Sequence, residues 1–312
     1  MAFFQETSTQ NRTDTFFKMV TILGATVILI IMTALFVQLI QNSMLSINKF
    51  GFGFIVDHVW DPIREQFGAA SSIYGTLVST IIAMILAVPL SVLIALFLVE
   101  LSHPLLSKWI GSGIELLAAV PSIIYGMWGL FVFAPFMANT IQPFLKSVFG
   151  DSALFQGPPI GIGMLTAGII LAFMILPFIT AVVRDVFAMV PSVVKESAFG
   201  MGSTTWEVTH KVTIRYGVQG IIGAVFLGLG RAIGETMAVT FVIGNAHRIS
   251  ASLFAPANSI TATLANEFTE ASEPLYLSVL IELGLVLFVL TFLIQMVSQL
   301  WLKKIKKSMG VQ

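Results

Sequence analysis

Two opposite charges stand four residues apart inside an apolar run. Arg231 and Glu235 lie in LGLGRAIGETMAVTFVIGN, within a glycine-rich stretch from about Tyr216 to Gly244 that is long enough to cross a bilayer. A charge at the bilayer centre costs ~2.5–3.5 kcal/mol on insertion scales, so such residues face a bundle interior or a water-filled path. A spacing of four predicts one shared helix face. Two chemistries fit. The pair neutralises itself, alone or with Glu115 or Glu282 from other helices. Alternatively, Arg231 meets an anion, because its planar fork of donors suits oxyanions, and Glu235 sets the charge balance. Gly230 and Gly234 form a small-xxx-small step, and Gly220, Gly223 and Gly228 extend the small-residue stripe on which another helix can approach closely.

A second stretch, PSVVKESAFGMGSTTWEVTHKVTIR, is amphipathic and charged. It reads as two short helices. Ser192 can cap the first, Gly200 and Gly202 interrupt the pattern, and Thr204 with Glu207 fits a capping box for the second. Trp206, Val208 and Val212 supply the apolar contacts of that second helix. Such a segment either lies on the lipid surface or is held by a partner protein. Other chemistry is missing. No Gly-Lys dipeptide occurs, so there is no P-loop and no self-contained ATPase. There is no cysteine, and His58, His103, His210 and His247 show no metal spacing and read as solvated loop histidines. The chain is expected to bind no metal or cofactor itself.

The elements that must hold these residues follow from composition. Of 312 residues 56% are hydrophobic and 10% charged, with mean hydropathy +0.93. Several uncharged runs exceed the ~18 residues a membrane helix needs, and they are continuous rather than alternating, which excludes a β-barrel. The fold class is therefore all-α and polytopic. Six spans are predicted, at about 16–40, 71–99, 109–133, 159–183, 216–244 and 275–302. The first is too long for a signal-peptide core and reads as a retained helix. Pro89 suggests a kink in the second, and the third contains the break AAVPSIIYGMWG. Polar loops are expected at 41–70, 135–158 and 246–274. The division is an N-terminal arm at 1–15, a first span with its loop at 16–70, one transmembrane domain at 71–302 containing the amphipathic segment at 186–216, and a basic tail at 303–312.

Orientation follows from Lys and Arg placement. With the N-terminus inside, the inner segments hold Arg12, Lys18, Lys108, Arg184, Lys195, Lys211, Arg215 and lysines 303, 304, 306 and 307. The outer loops hold only Lys49, Arg64, Lys146 and Arg248. Both termini and the 186–216 segment are thus expected in the cytoplasm. Net charge is zero, which gives no argument for nucleic acid.

Glu196-Ser197-Ala198, three residues, Gly202, nine residues and Val212-Thr213-Ile214 resemble the EAA loop of bacterial ABC importer permeases. The chain departs from that pattern at Ser197, where the family has alanine, and at Arg215, where it closes on proline. Longer strings resemble the phosphate importer permeases of the PstC type: ELLAAVPSIIYGMWGLFVF, LPFITAVVRDVFAMVPSVVKESAFGMGSTTWEV, LGLGRAIGETMAVTFVIGNAHRI and LFAPANSITATLANEF. The likeness covers about residues 70 to 302. It implies a type I ABC importer permease of the MetI-like class in a bacterial inner membrane. By the same resemblance, Arg231 and Glu235 serve phosphate passage, and Glu196, Ser197, Ala198 and Gly202 belong to the coupling loop that an ATPase subunit grips. The implied partners are a second permease of the PstA type, two PstB-type ATPases carrying ATP and Mg, and a periplasmic phosphate-binding protein of the PstS type. A permease for sulfate or molybdate, and an ion-coupled transporter using Glu235 and Glu115 as a proton relay, are the alternatives left by the residues themselves.

Overall fold

In hydrocarbon a backbone must satisfy its own polar groups, so uncharged runs of this length become helices. The computed structural model describes the backbone at 2–150 and 152–308 and side chains at 14–150 and 152–304. The N-terminal arm, except its last two residues, lies outside the described side chains, as does the basic tail beyond Lys304. Ten helices position the site: α1 (Ala2–Phe50), α2 (Ala70–Leu101), α3 (Pro104–Ala118), α4 (Ser122–Phe149), α5 (Met164–Ala188), α6 (Ser192–Gly200), α7 (Thr205–Ile233), α8 (Met237–Ile243), α9 (Ile260–Glu267) and α10 (Pro274–Ser308). A small antiparallel hairpin, β1 (Trp60–Asp61) and β2 (Gln66–Phe67), joins α1 to α2. Among the described residues six helices, α1, α2, α4, α5, α7 and α10, are long and apolar enough to cross a membrane.

Helix α5 is the centre of the bundle. Its apolar stretch is 67% buried, whereas that of α1 is 0% buried, so α1 presents its apolar side chains outward. Ile170, Leu171, Met174, Ile175, Ile179 and Val183 form the spine of the core. Helix α2 packs along α5 where Gly168 leaves no room for a side chain: a Cβ there would sit 2.6 Å from Ile82. Ser91 donates across the same interface to the Leu176 carbonyl at 3.0 Å. Helix α7 lies against α5 through its glycines, since a Cβ on Gly220 would come within 2.5 Å of Val186 and one on Gly228 within 2.6 Å of Ile179. The small-residue stripe therefore serves helix contact, except at Gly223, which faces open space, and at Gly234, where a Cβ would meet only the Gly230 carbonyl of its own helix. Pro89 and Pro177 both lie within unbroken helices.

Several boundaries differ from the sequence expectation, each for a local reason. The first span runs on to Phe50, where the Ser278 hydroxyl of α10 donates to the Asn42 carbonyl and accepts from the Ser46 amide of α1. The run 109–133 is not one span. Pro121 ends it, leaving α3 as a separate helix laid on α5 and starting the third span only at Ser122. Residues 135–149, expected as loop, stay helical, and the side chain of Gln142 is buried and accepts from the Gly161 amide at 2.9 Å.

The segment 246–274, expected as a polar outer loop, folds back into the bundle. Asn258, Ser259, Thr261 and Thr263 are buried. Gly75 of α2 touches this segment so closely that a Cβ would lie 1.8 Å from the Asn258 carbonyl oxygen. Hydroxyls of α2 replace water there: Thr76 accepts from the Ile260 amide at 2.9 Å, and Ser72 meets Thr263 at 3.1 Å. His247 is not solvated either. It stacks on Trp60 at 4.9 Å and meets Glu267 at 3.0 Å. Glu267 also accepts from the Trp60 indole at 2.7 Å and the Tyr276 hydroxyl at 2.6 Å. Burial pushes the Glu267 carboxyl up, but the bonds from His247, Tyr276 and Trp60 together hold it below the usual carboxylate range. Its contribution is therefore present above the unfolded carboxylate pKa and is lost as pH falls through the lower folded value. Glu267→Gln keeps the shape, removes the charge and should destabilise the protein by about 1–3 kcal/mol at neutral pH. Faster amide exchange confined to the hairpin and α9 would show it; unchanged exchange there would dismiss the clamp.

Candidate functional site

The fifth span breaks where the chemistry sits. Helix α7 stops at Ile233, Gly234 closes it, and α8 begins at Met237. Arg231 is thus in the last turn of α7, whereas Glu235 is in the break. The expected shared face on one continuous helix is not formed. Two glycines flank Arg231 at 230 and 234, and the chain leaves helical geometry directly after Ile233. Glu235 turns to the next helix instead: its Oε1 accepts from the Ala238 amide at 3.1 Å, at the N-terminal end of α8. Its backbone carbonyl accepts from the Thr261 hydroxyl at 2.7 Å, which ties the break to the refolded segment 246–274. Helix α8 is seated by Gly126 of α4, where a Cβ would lie 2.9 Å from the Met237 carbonyl oxygen.

Arg231 is half-buried, with its guanidinium carbon 5.4 Å from the Phe178 ring centre. Neither carboxylate considered as its partner from sequence is used for it. Glu115 pairs with Arg184 at 2.6 Å, and Glu282 is buried on α10 with one carboxyl oxygen unbonded. Among the described residues Arg231 has no salt bridge. A cation–π contact contributes about 0.5–2 kcal/mol, which is less than the cost of placing the charge in the membrane interior. Self-neutralisation of the pair therefore does not account for it. A guanidinium whose donors have no hydrogen-bond partner among the described residues, beside a broken helix, is suited to an anion.

The amphipathic segment forms the second part of the site. Helix α6 follows Pro191, which occupies the N-cap without a side-chain bond, so Ser192 is its first residue rather than its cap. Ser197 bonds back to the Val193 carbonyl at 2.7 Å, Ala198 is buried, and Glu196 is exposed. Gly202 has φ +86°, the left-handed region that glycine enters without penalty, and it turns the chain between α6 and α7. The capping box is present: Thr204 accepts from the Glu207 amide at 3.3 Å, and Glu207 accepts from the Thr204 amide at 3.1 Å. The second short helix is not separate, for Thr205 opens a helix that continues into the fifth span. Val193, Phe199, Met201 and Trp206 are exposed and apolar on this segment.

Sequence reasoning missed Glu100. Its Oε1 accepts from Lys195 of α6 at 2.6 Å and from the Thr213 hydroxyl of α7 at 2.9 Å. The signal was available: Glu100 is the first charge after a long uncharged span.

No family model matches the chain. It is 54% identical over 302 residues to the phosphate transport system permease protein PstC of Mesorhizobium japonicum, covering 96% of this chain and 92% of that protein. It is 50% identical over 298 residues to the PstC of Pasteurella multocida, covering 94% and 93%. Among solved structures it is similar to a bacterial alginate ABC transporter in complex with an alginate pentasaccharide-bound periplasmic protein, with TM-score 0.57, 16% identity and 85% and 88% coverage. It is also similar to an inward-facing MetNI methionine ABC transporter, with TM-score 0.52, 18% identity and 79% and 99% coverage. At such identities these two structures speak for the fold alone, a helical bundle with six candidate spans. The PstC similarity, sustained over nearly the whole of both sequences, is of a different order, and on it the chain belongs to the PstC family of phosphate transport system permease proteins.

Proposed function

We propose that this chain is the permease subunit through which an ATP-driven importer moves inorganic phosphate into the cytoplasm by alternating access. The observation that carries the reading is Arg231: a half-buried guanidinium in a transmembrane bundle, without a carboxylate partner among the described residues, at the end of a broken helix. It offers a weak, transient site, whereas a tight one would trap the ion. Glu235, held at the start of α8, limits the net positive charge beside it. The partners are a second permease of the PstA type, two PstB-type ATPases that carry ATP and Mg, and a PstS-type phosphate-binding protein at the outer face. Glu196, Ser197, Ala198 and Gly202 belong to the segment the ATPase grips, and the exposed apolar side chains there supply its contact. A proton relay through Glu235 and Glu115 fits less well, because Glu115 is engaged by Arg184 and Glu235 by the α8 amide.

The test is uptake by the reconstituted complex. Labelled phosphate should enter proteoliposomes only with ATP and loaded binding protein, and excess sulfate or molybdate should not compete. ATP-independent uptake would defeat the reading, and full competition by sulfate would move the substrate to another oxyanion. The orientation has its own test. The count of eleven inner against four outer basic residues supports both termini in the cytoplasm. A phosphatase reporter fused after Gln312 should be silent and a fluorescent one bright; the reverse pattern would invert the topology.

A further inference from the structure

The transport reading explains Arg231 and the exposed face of α6 but leaves a buried ion pair unused. Glu100 sits in the π-helical turn Phe97–Leu101 that ends α2. Lys195 sits on α6, one residue before Glu196. Their side chains are 9% and 17% exposed, and Nζ lies 2.6 Å from Oε1. The same oxygen accepts from Thr213, which is fully buried in the π-helical turn Thr209–Thr213 at the root of α7. One carboxylate oxygen thus holds three elements: the end of the second span, the coupling helix and the start of the fifth span.

We propose that Glu100 is a positioning residue of the coupling machinery, the pin that makes the second span and α6 move as one body when the ATPase pulls. This rests on the permease reading. Without such a link, α6 is held to the bundle by its two ends, at Pro191 and at the Gly202 turn, where the chain is extended or left-handed rather than helical, and by the packing of its buried Ala198 side against the start of α7. A force applied to the exposed face of α6 would then bend those joints. A buried charge pair with a third hydrogen bond resists that bending, because moving either partner leaves a charge unpaired away from water. Helical turns of the π type break the regular ladder, and they recur at functional positions. Here two of them, on α2 and on α7, present Glu100 and Thr213 to the same point. Lys211 and Glu207, the nearby pair on α7, engage each other at 3.0 Å and take no part.

The test separates positioning from folding. The chain lacks cysteine, so a pair of spin labels can be introduced, one at exposed Ser192 and one at exposed Leu101. In the assembled complex the label distance should be narrow and the same in the nucleotide-free and vanadate-trapped states. Glu100→Gln should broaden it, and phosphate moved per ATP hydrolysed should fall about tenfold or more while ATPase subunits remain bound. Glu100→Gln combined with Lys195→Met removes the unpaired ammonium; it should stabilise the subunit relative to the single variant but not restore transport per ATP. Glu100→Asp with restored transport per ATP would support the pin. An unchanged distance and an unchanged ratio in Glu100→Gln would overturn it, as would full coupling in the double variant. Should the wild-type complex show the fixed distance yet move no phosphate, the phosphate reading fails and the pin stands.

Discussion

Arg231→Gln should abolish phosphate uptake in an otherwise assembled complex. A charge-assisted hydrogen bond to an anion contributes about 1.5–3 kcal/mol, so its loss alone lowers passage by on the order of ten- to a hundredfold. Arg231→Lys keeps the charge without the planar fork and should retain more uptake than glutamine. The deciding variant is Arg231→Gln with Glu235→Gln. A self-neutralising pair would be repaired by removing both charges, because nothing is left unpaired. In the structure the two side chains have different attachments, Phe178 for one and the Ala238 amide for the other. The double variant should therefore assemble, keep its thermal stability within a few degrees and still fail. Brisk uptake by the double variant would return Arg231 to a structural role. Glu235→Gln alone keeps an acceptor for Ala238 and should reduce uptake less than Arg231→Gln.

How much of this was legible beforehand depends on which interactions encode it. Membrane crossing is written in composition, since an uncharged run of twenty residues has few alternatives, and the six spans were readable for that reason. The capping box at Thr204 and the glycine turn at 202 were readable because both are local. The break after Ile233 was not. Apart from a few polar residues, Arg231 and Glu235 among them, the run Tyr216–Gly244 is apolar, and tertiary contacts, the bond from Thr261 to the Glu235 carbonyl and the close approach of Gly126 to the α8 backbone, help keep it in two pieces. The same applies to 246–274, whose Ser, Thr and Asn residues look like a solvated loop and find partners instead within the segment, on α2 and at the α7–α8 break. Small hydroxyl residues at membrane depth are ambiguous in one dimension; they become interior residues when a glycine such as Gly75 lets the backbones meet. His247 was misread for the same reason, because its partners Trp60 and Glu267 are distant in sequence. Glu100 and Lys195, 95 positions apart, show the general case: Lys195 was counted only for orientation, although it is its pairing with Glu100 that fixes where it sits.

Gly202 gives the second large effect. Its φ of +86° costs a side-chain-bearing residue ~1–2 kcal/mol, and no atom lies within 4 Å of where a Cβ would sit. A substitution there strains the turn without overfilling the bundle. Gly202→Trp should therefore insert normally and lower the melting temperature of the isolated subunit by only a few degrees. Its indole would project from the turn beside the exposed Met201 and Trp206, on the face proposed to meet the ATPase. Retention of ATPase subunits through purification should fall about tenfold or more, with ATP-driven uptake lost alongside, since a bulky group in a well-packed contact commonly costs 1–3 kcal/mol. Two smaller changes separate backbone from contact. Asparagine tolerates left-handed geometry, so Gly202→Asn should keep most assembly, whereas Gly202→Val, which disfavours it, should lose more despite its modest size. If Gly202→Trp purifies with its full complement of ATPase and transports at the wild-type rate, the α6–α7 turn is not where the ATPase grips.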